Sequence, residues 1–180
     1  MDDATLSLLH ARVRDVPDFP KPGILFKDIM PLLADAAAFR LTVDTFADLC
    51  RALPGGAPDK IVGIDARGFL FGAAVAYKLG VGFIPVRKKG KLPGETHHHA
   101  YALEYGEAVV EMQSDALHPG DRVALVDDLL ATGGTAAAAL ELIAKLGGKP
   151  EGVFFLIELE FLQGRARLPA AVPVTALLKY

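Results

Sequence analysis

The chain has little of what secreted, membrane or nucleic-acid-binding proteins rely on. Cys50 is its only cysteine, which excludes an intrachain disulfide and fits a reducing compartment. No apolar run approaches the roughly 18 to 20 residues that a helical membrane span requires. The N-terminal MDDATLSLLHARVRD is acidic and then helical, with no basic and apolar leader regions, so the expectation is a cytoplasmic protein without a signal peptide. With 19 Lys and Arg against 22 Asp and Glu the formal net charge is −3, so no global basic field recommends nucleic acid as a partner. Internal repeats, low-complexity tracts and Ser/Gly linkers are missing too. The 180 residues are therefore expected to form one domain, 1–180.

What is present is a high apolar content, 52% of residues, cut into short pieces. Residues 4–14 carry Leu6, Leu9 and Val13 at helical spacing, with Pro17 and Pro20 expected to close that helix. FPKPGILFKDIMPLL (19–33) is punctuated by proline and glycine and reads as an irregular flap, so that 1–33 forms an N-terminal helix and flap. A helix is expected from 36 to about 53, stopped by PGGAP. Thereafter KIVGI (60–64), VGFIPVR (81–87), RVALVD (122–127), VFFLIEL (153–159) and VPVTALL (172–178) read as strands. RGFLFGAAVAYKLG (67–80) and GTAAAALELIAKLGG (134–148) read as helices, the second stopped by Gly147 or Gly148. Strands apolar on both faces that alternate with helices predict an α/β fold: a Rossmann-like parallel sheet with helices on both faces, plus the small N-terminal flap. Ligands of such sheets bind at the carboxyl ends of the strands, at a topological switch point. Segments 65–67, 87–94 and 127–135 all fall at such ends.

The most informative stretch is VALVDDLLATGGT (123–135). Its turn, Ala131, Thr132, Gly133, Gly134 and Thr135, offers consecutive N–H groups at a helix N-terminus together with two hydroxyls. The glycines remove the Cβ atoms that would hold a phosphate away from the backbone. The stretch matches neither G-x-G-x-x-G nor G-x-x-x-x-G-K-[ST], which disfavours a dinucleotide fold and a P-loop NTPase. Two carboxylates, Asp127 and Asp128, precede the turn and would repel a phosphate unless they faced something else. A vicinal diol suits them, contacted directly or through hydrated Mg²⁺. A ribose 5-phosphate supplies both a diol and a phosphate.

Taken together, these motifs resemble the adenine phosphoribosyltransferases, of the type I phosphoribosyltransferase family. The signature around 123–135 matches that family's site for 5-phosphoribosyl-1-pyrophosphate (PRPP). FPKPGILFKDI (19–29), ARGFLFG (66–72), VRKKGKLPGET (86–96) and YALEYG (101–106) accompany it in the family's order. The resemblance implies transfer of the 5-phosphoribosyl group from PRPP to adenine, giving AMP and pyrophosphate, with Mg²⁺, in a homodimer. It implies that Asp127 and Asp128 contact the ribose hydroxyls or organise the metal, mostly through PRPP and water, and that 131–135 hold the 5-phosphate. Asp65, Ala66 and Arg67 correspond to a pyrophosphate loop in which family members often show a cis non-proline peptide. Arg87, Lys88 and Lys91, with Lys89, add positive charge for the same leaving group. Backbone groups matching Leu25 and Lys27 read the adenine edge, and Phe26 is suited to stack on the base. Many members have Arg in place of Lys27, and close relatives often have Ser in place of Ala66.

Residues 88–113 read as a mobile lid. As an extended strand, 101–106 points Tyr101, Leu103 and Tyr105 to one side and Glu104 to the other. By itself Glu104 reads as an exposed strand carboxylate. The resemblance makes it the general acid/base at the purine, with Tyr105 closing the lid against water. His97, His98 and His99 fit the family least; His97 and His99 share one side of an extended chain, but no Cys and no third spaced ligand supports a metal site. The signature by itself supports only the superfamily. An enzyme for hypoxanthine, xanthine or orotate, and a non-catalytic PRPP sensor, are the alternatives.

Overall fold

The computed structural model describes residues 3–102 and 107–180. It divides into two units, 1–45 and 46–180, with the boundary inside a helix.

The N-terminal unit begins with α1 (Asp3–His10), shorter than the helical spacing suggests. The chain then turns into β1 (Arg14–Pro17), which pairs antiparallel with β2 (Leu25–Asp28). The flap is therefore an ordered hairpin rather than an irregular segment. Charge explains the difference: the register sets Arg14 opposite Asp28 and Asp15 opposite Lys27, two cross-strand pairs of opposite sign. Both close as ion pairs, Arg14 to Asp28 at 2.5 Å and Lys27 to Asp15 at 2.6 Å. Pro17 sits at the end of β1, where the loop to β2 includes a cis Phe19–Pro20 peptide. A short α2 (Met30–Ala34) leads to α3 (Ala36–Arg51), whose first N–H groups are capped by Asp35.

The second unit is a seven-stranded sheet, and its order carries the functional argument. Its strands are β3 (Lys60–Ile64), β4 (Gly82–Lys88), β5 (Thr96–Ala102), β6 (Glu107–Gln113), β7 (Arg122–Leu130), β8 (Lys149–Glu158) and β9 (Val174–Lys179). They lie in the order β5-β6-β4-β3-β7-β8-β9. The five strands from β4 to β9 run parallel, as the double-sided apolar runs require, while β5 and β6 form an antiparallel extension beside β4. The segment read as a lid is thus built, in its described parts, from a hairpin belonging to the main sheet. From β3 the chain crosses through α4 (Arg67–Leu79) to β4 on one side; from β7 it crosses through α5 (Gly134–Lys145) to β8 on the other. Right-handed crossovers in opposite directions put α4 and α5 on opposite faces of the sheet. The reversal occurs between β3 and β7, and that is the switch point.

The core follows from the strand sequences. Val123, Ala124, Leu125 and Val126 of β7 and Val153, Phe155 and Leu156 of β8 are fully buried. Against Val123, Leu125, Val153 and Phe155, on one face of the sheet, α5 packs Ala139, Leu142 and Ile143. The helix ends as its glycines demand: Gly147 takes φ +83°, and the Gly148 N–H returns to the Ile143 carbonyl at 2.9 Å. Cys50 is buried and its thiol pKa is pushed up to about 12 by loss of solvent, so it behaves as a small core side chain. No helix among the described residues is long and apolar enough to cross a membrane.

One polar contact locks the amino ends of β3 and β7. The Arg122 guanidinium donates to the carbonyls of Pro54, Gly55, Gly56 and Ala57 at 2.9 to 3.1 Å, gathering the loop ahead of β3. Arg122→Ala is expected to lower unfolding free energy by about 2 kcal/mol, measured by urea denaturation. Arg122→Lys should recover only part of that loss, because an ammonium lacks the planar fork of donors.

Candidate active site

At the carboxyl ends of β3 and β7 lies a cavity of about 250 Å³ lined by residues 64–67 and 127–136. Most of the residues expected to contact a ribose phosphate or its leaving group therefore share one space. Three local structures build it.

The first is the turn into α5. Gly133 is the N-cap residue at φ +80°, a left-handed conformation that side chains disfavour, and it offers no side chain to cap the helix. The N–H groups of the first turn are thus left for an anion. Space is as restrictive as conformation: a Cβ on Gly133 would collide with the Gly164 carbonyl, and one on Gly164 with the Ala131 carbonyl. The segment of two 3₁₀ turns, Glu160–Leu162 and Gly164–Arg167, backs the anion turn glycine to glycine. On the other flank the Thr135 hydroxyl hydrogen-bonds the Tyr101 phenol at 3.0 Å. A Cβ on Gly134 would lie 3.0 Å from the Tyr101 ring and 3.6 Å from Arg167 Nη1.

The second is the acidic pair. β7 runs to Leu130, beyond the end expected at 127, because its pairing with β8 continues through Leu129–Ile157 and Leu130–Glu158. Both acids therefore belong to the strand. Asp128 is 6% exposed and meets Arg67 Nε at 2.9 Å; Asp127 Oδ1 accepts from the Asp128 N–H at 2.9 Å. Burial first, and then the charge of Asp128, push Asp127 well above the ordinary carboxylate range. Burial also raises Asp128, against the opposing pull of Arg67. Gly68 makes the arrangement possible, since a Cβ there would stand 2.5 Å from Asp127 Oδ1.

The third is the loop from β3 into α4. The Asp65–Ala66 peptide is cis, as the resemblance implies, and Ala66 is the N-cap of α4. The Asp65 carboxylate turns towards β4, accepting from Arg87 Nε at 3.0 Å. Lys88, at the end of β4, and Lys91, on the turn after it, are exposed, and neither they nor Arg87 line the cavity.

Leu25, Phe26 and Lys27 form β2 of the N-terminal unit. Leu25 is exposed, and the Phe26 ring stands edge-on to Phe19 at 5.1 Å. Lys27 pairs its ammonium with Asp15 across the hairpin. Glu104 and Tyr105 lie outside the described residues. His97, His98 and His99 lie on β5, and among the described residues no three His, Cys, Asp or Glu side chains converge as a metal site. Sequence reasoning missed Tyr101, Gly164 and Arg167 as neighbours of the anion turn. The first carried a signal, its place on the same side of the strand as Tyr105. The other two are brought in only by the close return of the chain after β8.

A family model described as phosphoribosyl transferase domain matches residues 33–158. An adenine phosphoribosyltransferase of Acidothermus cellulolyticus is 58% identical over 172 residues, covering 96% of this chain and 95% of that protein. One from Streptomyces clavuligerus is 54% identical with 99% of each covered. Among solved structures, the adenine phosphoribosyltransferase of Thermoanaerobacter pseudethanolicus superposes with a TM-score of 0.92 at 48% identity, covering 97% of this chain and 99% of that one. The Saccharomyces cerevisiae enzyme, solved with adenine and an imino-altritol bisphosphate, does so at 0.92 and 43% identity, covering 98% and 99%.

The electrostatic strain of the acidic pair has a measurable consequence. A carboxylate whose folded pKa is raised costs stability above that pKa, and the cost vanishes below its unfolded value. Asp127→Asn, which keeps an acceptor for the Asp128 N–H, is therefore expected to raise the melting temperature of the ligand-free protein near neutral pH, by about 2 to 4 °C per kcal/mol. The gain should shrink as pH falls and the native pair protonates, in thermal scans across pH.

Proposed function

Because the chain belongs to the adenine phosphoribosyltransferase family, we propose that it transfers the 5-phosphoribosyl group of PRPP to adenine, giving AMP and pyrophosphate in purine salvage. The observation that carries this reading is the cavity at the switch point, which joins an uncapped helix N-terminus to an adjacent carboxylate pair, Asp127 partly exposed and Asp128 buried. No simple phosphate site calls for both, whereas a phosphorylated sugar does. A relative from Trypanosoma brucei, 27% identical, was solved with AMP, pyrophosphate and ribose-5-phosphate, the products and the core of such a reaction.

In this reading the N–H groups and hydroxyls of 131–135 hold the 5-phosphate, and Asp127 and Asp128 take the ribose hydroxyls. Adenine N9 forms its bond to C1′ as the bond from C1′ to the pyrophosphate oxygen breaks. The N9 proton passes to the Glu104 carboxylate, and the electron pair of the broken bond leaves on pyrophosphate. Arg67 and Arg87, with Lys88 and Lys91 nearby, stabilise the negative charge that departs, and Tyr105 excludes water from C1′. The main chain of Leu25 and Lys27 reads the adenine edge while Phe26 stacks on the ring. In support, β2 lies in a two-stranded sheet with β1 among the described residues.

The donor set fits Mg²⁺ bound mainly through substrate. Two adjacent carboxylates suit an ion that keeps several waters and takes its other oxygens from PRPP. Bound there, Mg²⁺ would neutralise phosphate charge and relieve the repulsion between Asp127 and Asp128. The reading also takes 1–180 as one phosphoribosyltransferase domain with 88–113 as its lid, acting as a cytoplasmic homodimer.

The direct test is adenine-dependent release of pyrophosphate from PRPP, with hypoxanthine as control. Release with adenine and little with hypoxanthine is the expected result; equal release with both would reassign the base. Glu104→Ala and Asp128→Asn are each expected to lower kcat by about tenfold or more with circular dichroism unchanged. Near-native turnover in both would sink the assignment of these roles.

A further inference from the structure

The end of β4 and the turn after it place Arg87, Lys88, Lys89 and Lys91 within five residues, a concentration of positive charge that repels itself. The main chain of the turn nonetheless folds back tightly, with Gly90 at φ +82°. A carboxylate from another strand holds it there. Glu111 of β6 is 3% exposed, and its Oε1 accepts from the N–H groups of Lys91 at 2.9 Å and Leu92 at 2.8 Å. A longer contact of 3.4 Å joins Oε2 to the Thr96 hydroxyl. Burial tends to raise the pKa of Glu111, but the N–H groups of Leu92, Gly90 and Lys91 and the Thr96 hydroxyl outweigh it and hold the carboxyl below its ordinary range.

The partners form a continuous path to the cavity. Glu111 stands directly opposite Arg87 in the β4–β6 ladder, which puts both side chains on one face of the sheet. They meet on one residue: the Lys91 N–H donates to Glu111, and the Lys91 carbonyl accepts from Arg87 Nη1 at 3.1 Å. Arg87 in turn binds Asp65 in the cavity lining. The negative charge that offsets the basic turn is thus directed to main-chain donors, and the lysine side chains stay exposed. An anchor of this kind orders the turn without consuming the cations.

We propose that Glu111 is a positioning residue for the leaving group, holding 90–92 so that Arg87, Lys88 and Lys91 form a preformed cationic wall for pyrophosphate. This rests on the reading that the turn addresses pyrophosphate, so the test pairs Glu111→Gln with Lys91→Ala. Glu111→Gln keeps the size and one acceptor oxygen but loses the charge. Initial rates with each substrate varied, together with inhibition by pyrophosphate, provide the readout. In Glu111→Gln the KM for PRPP and the inhibition constant of pyrophosphate should each rise by about fivefold or more, as for loss of an aligned charged contact. The KM for adenine and kcat should stay within about twofold. A purely structural role would instead lower kcat through loss of folded enzyme and leave both KM values alone, which would overturn the proposal. Should Glu111→Gln fail to fold, Glu111→Asp, which keeps the charge but falls one methylene short, is expected to show the same split. A native KM for PRPP in the Glu111 variant beside a raised one in Lys91→Ala would defeat the proposal and leave the functional reading intact. Native values in both would remove the turn from the pyrophosphate site, and the proposal with it.

Discussion

Two carboxylates side by side in a largely dry strand end are the constraint on which the site depends. Asp127 and Asp128 each lose solvation, and the charge of Asp128 further raises the cost of ionising Asp127. Nearby structure answers that cost at specific points. Arg67 at the start of α4 faces Asp128, the backbone of Asp128 donates to Asp127, and Gly68 withholds the Cβ that would displace the Asp127 carboxylate. The remaining imbalance is itself useful. A pair held above its ordinary pKa would gain from hydroxyl donors and a cation, which in the proposed reading makes stability forgone in the protein a source of selectivity for a ligand carrying both.

The topology makes this constraint tolerable because the crossovers leave β3 and β7 in opposite directions. The two carboxyl ends open on one cavity, so Asp65 to Arg67 and Asp127 to Thr135 face the same space. The positive end of α5 and the guanidinium of Arg67 then stand close to the acids without neutralising them completely. The anion turn is packed glycine to glycine against the segment after β8, because a Cβ on Gly133 or Gly164 would strike the opposite backbone carbonyl.

Much of this was legible in the sequence, and the exceptions have physical causes. Double-sided apolar runs announced the parallel strands, and the acids before ATGGT narrowed the ligand from any phosphate to a phosphorylated sugar. The flap hairpin escaped notice because its stability comes from Arg14–Asp28 and Lys27–Asp15, pairs visible only once the register is known. Gly164 gave no local sign, since its small size matters to a turn about thirty residues earlier. Glu111 reads as an ordinary strand carboxylate; what distinguishes it is the register that sets it across from Arg87. Pattern and propensity are properties of a segment, whereas these contacts belong to pairs of segments.

The two anion-binding devices differ in construction, and the reaction gives a reason. The 5-phosphate stays on the sugar in substrate and product alike, so its site has no need to change between them. A helix N-terminus meets that need, because its donors are main-chain groups and Gly133 leaves no side chain to reorganise. Pyrophosphate must instead be bound as a substituent, stabilised as it gains charge, and then released. Arginine and lysine side chains on an exposed turn can follow that movement, which rigid amides cannot. Such side chains lose conformational entropy when they close on an anion. Anchoring only the main chain of the turn, through Glu111 and Arg87, limits that loss while leaving the ammonium groups able to let go. A fully rigid cationic site would hold its product, and a fully mobile one would bind the substrate weakly. In the proposed reading the retained phosphate lies on a helix and the departing one on a pinned turn, a division that serves both ends of the reaction.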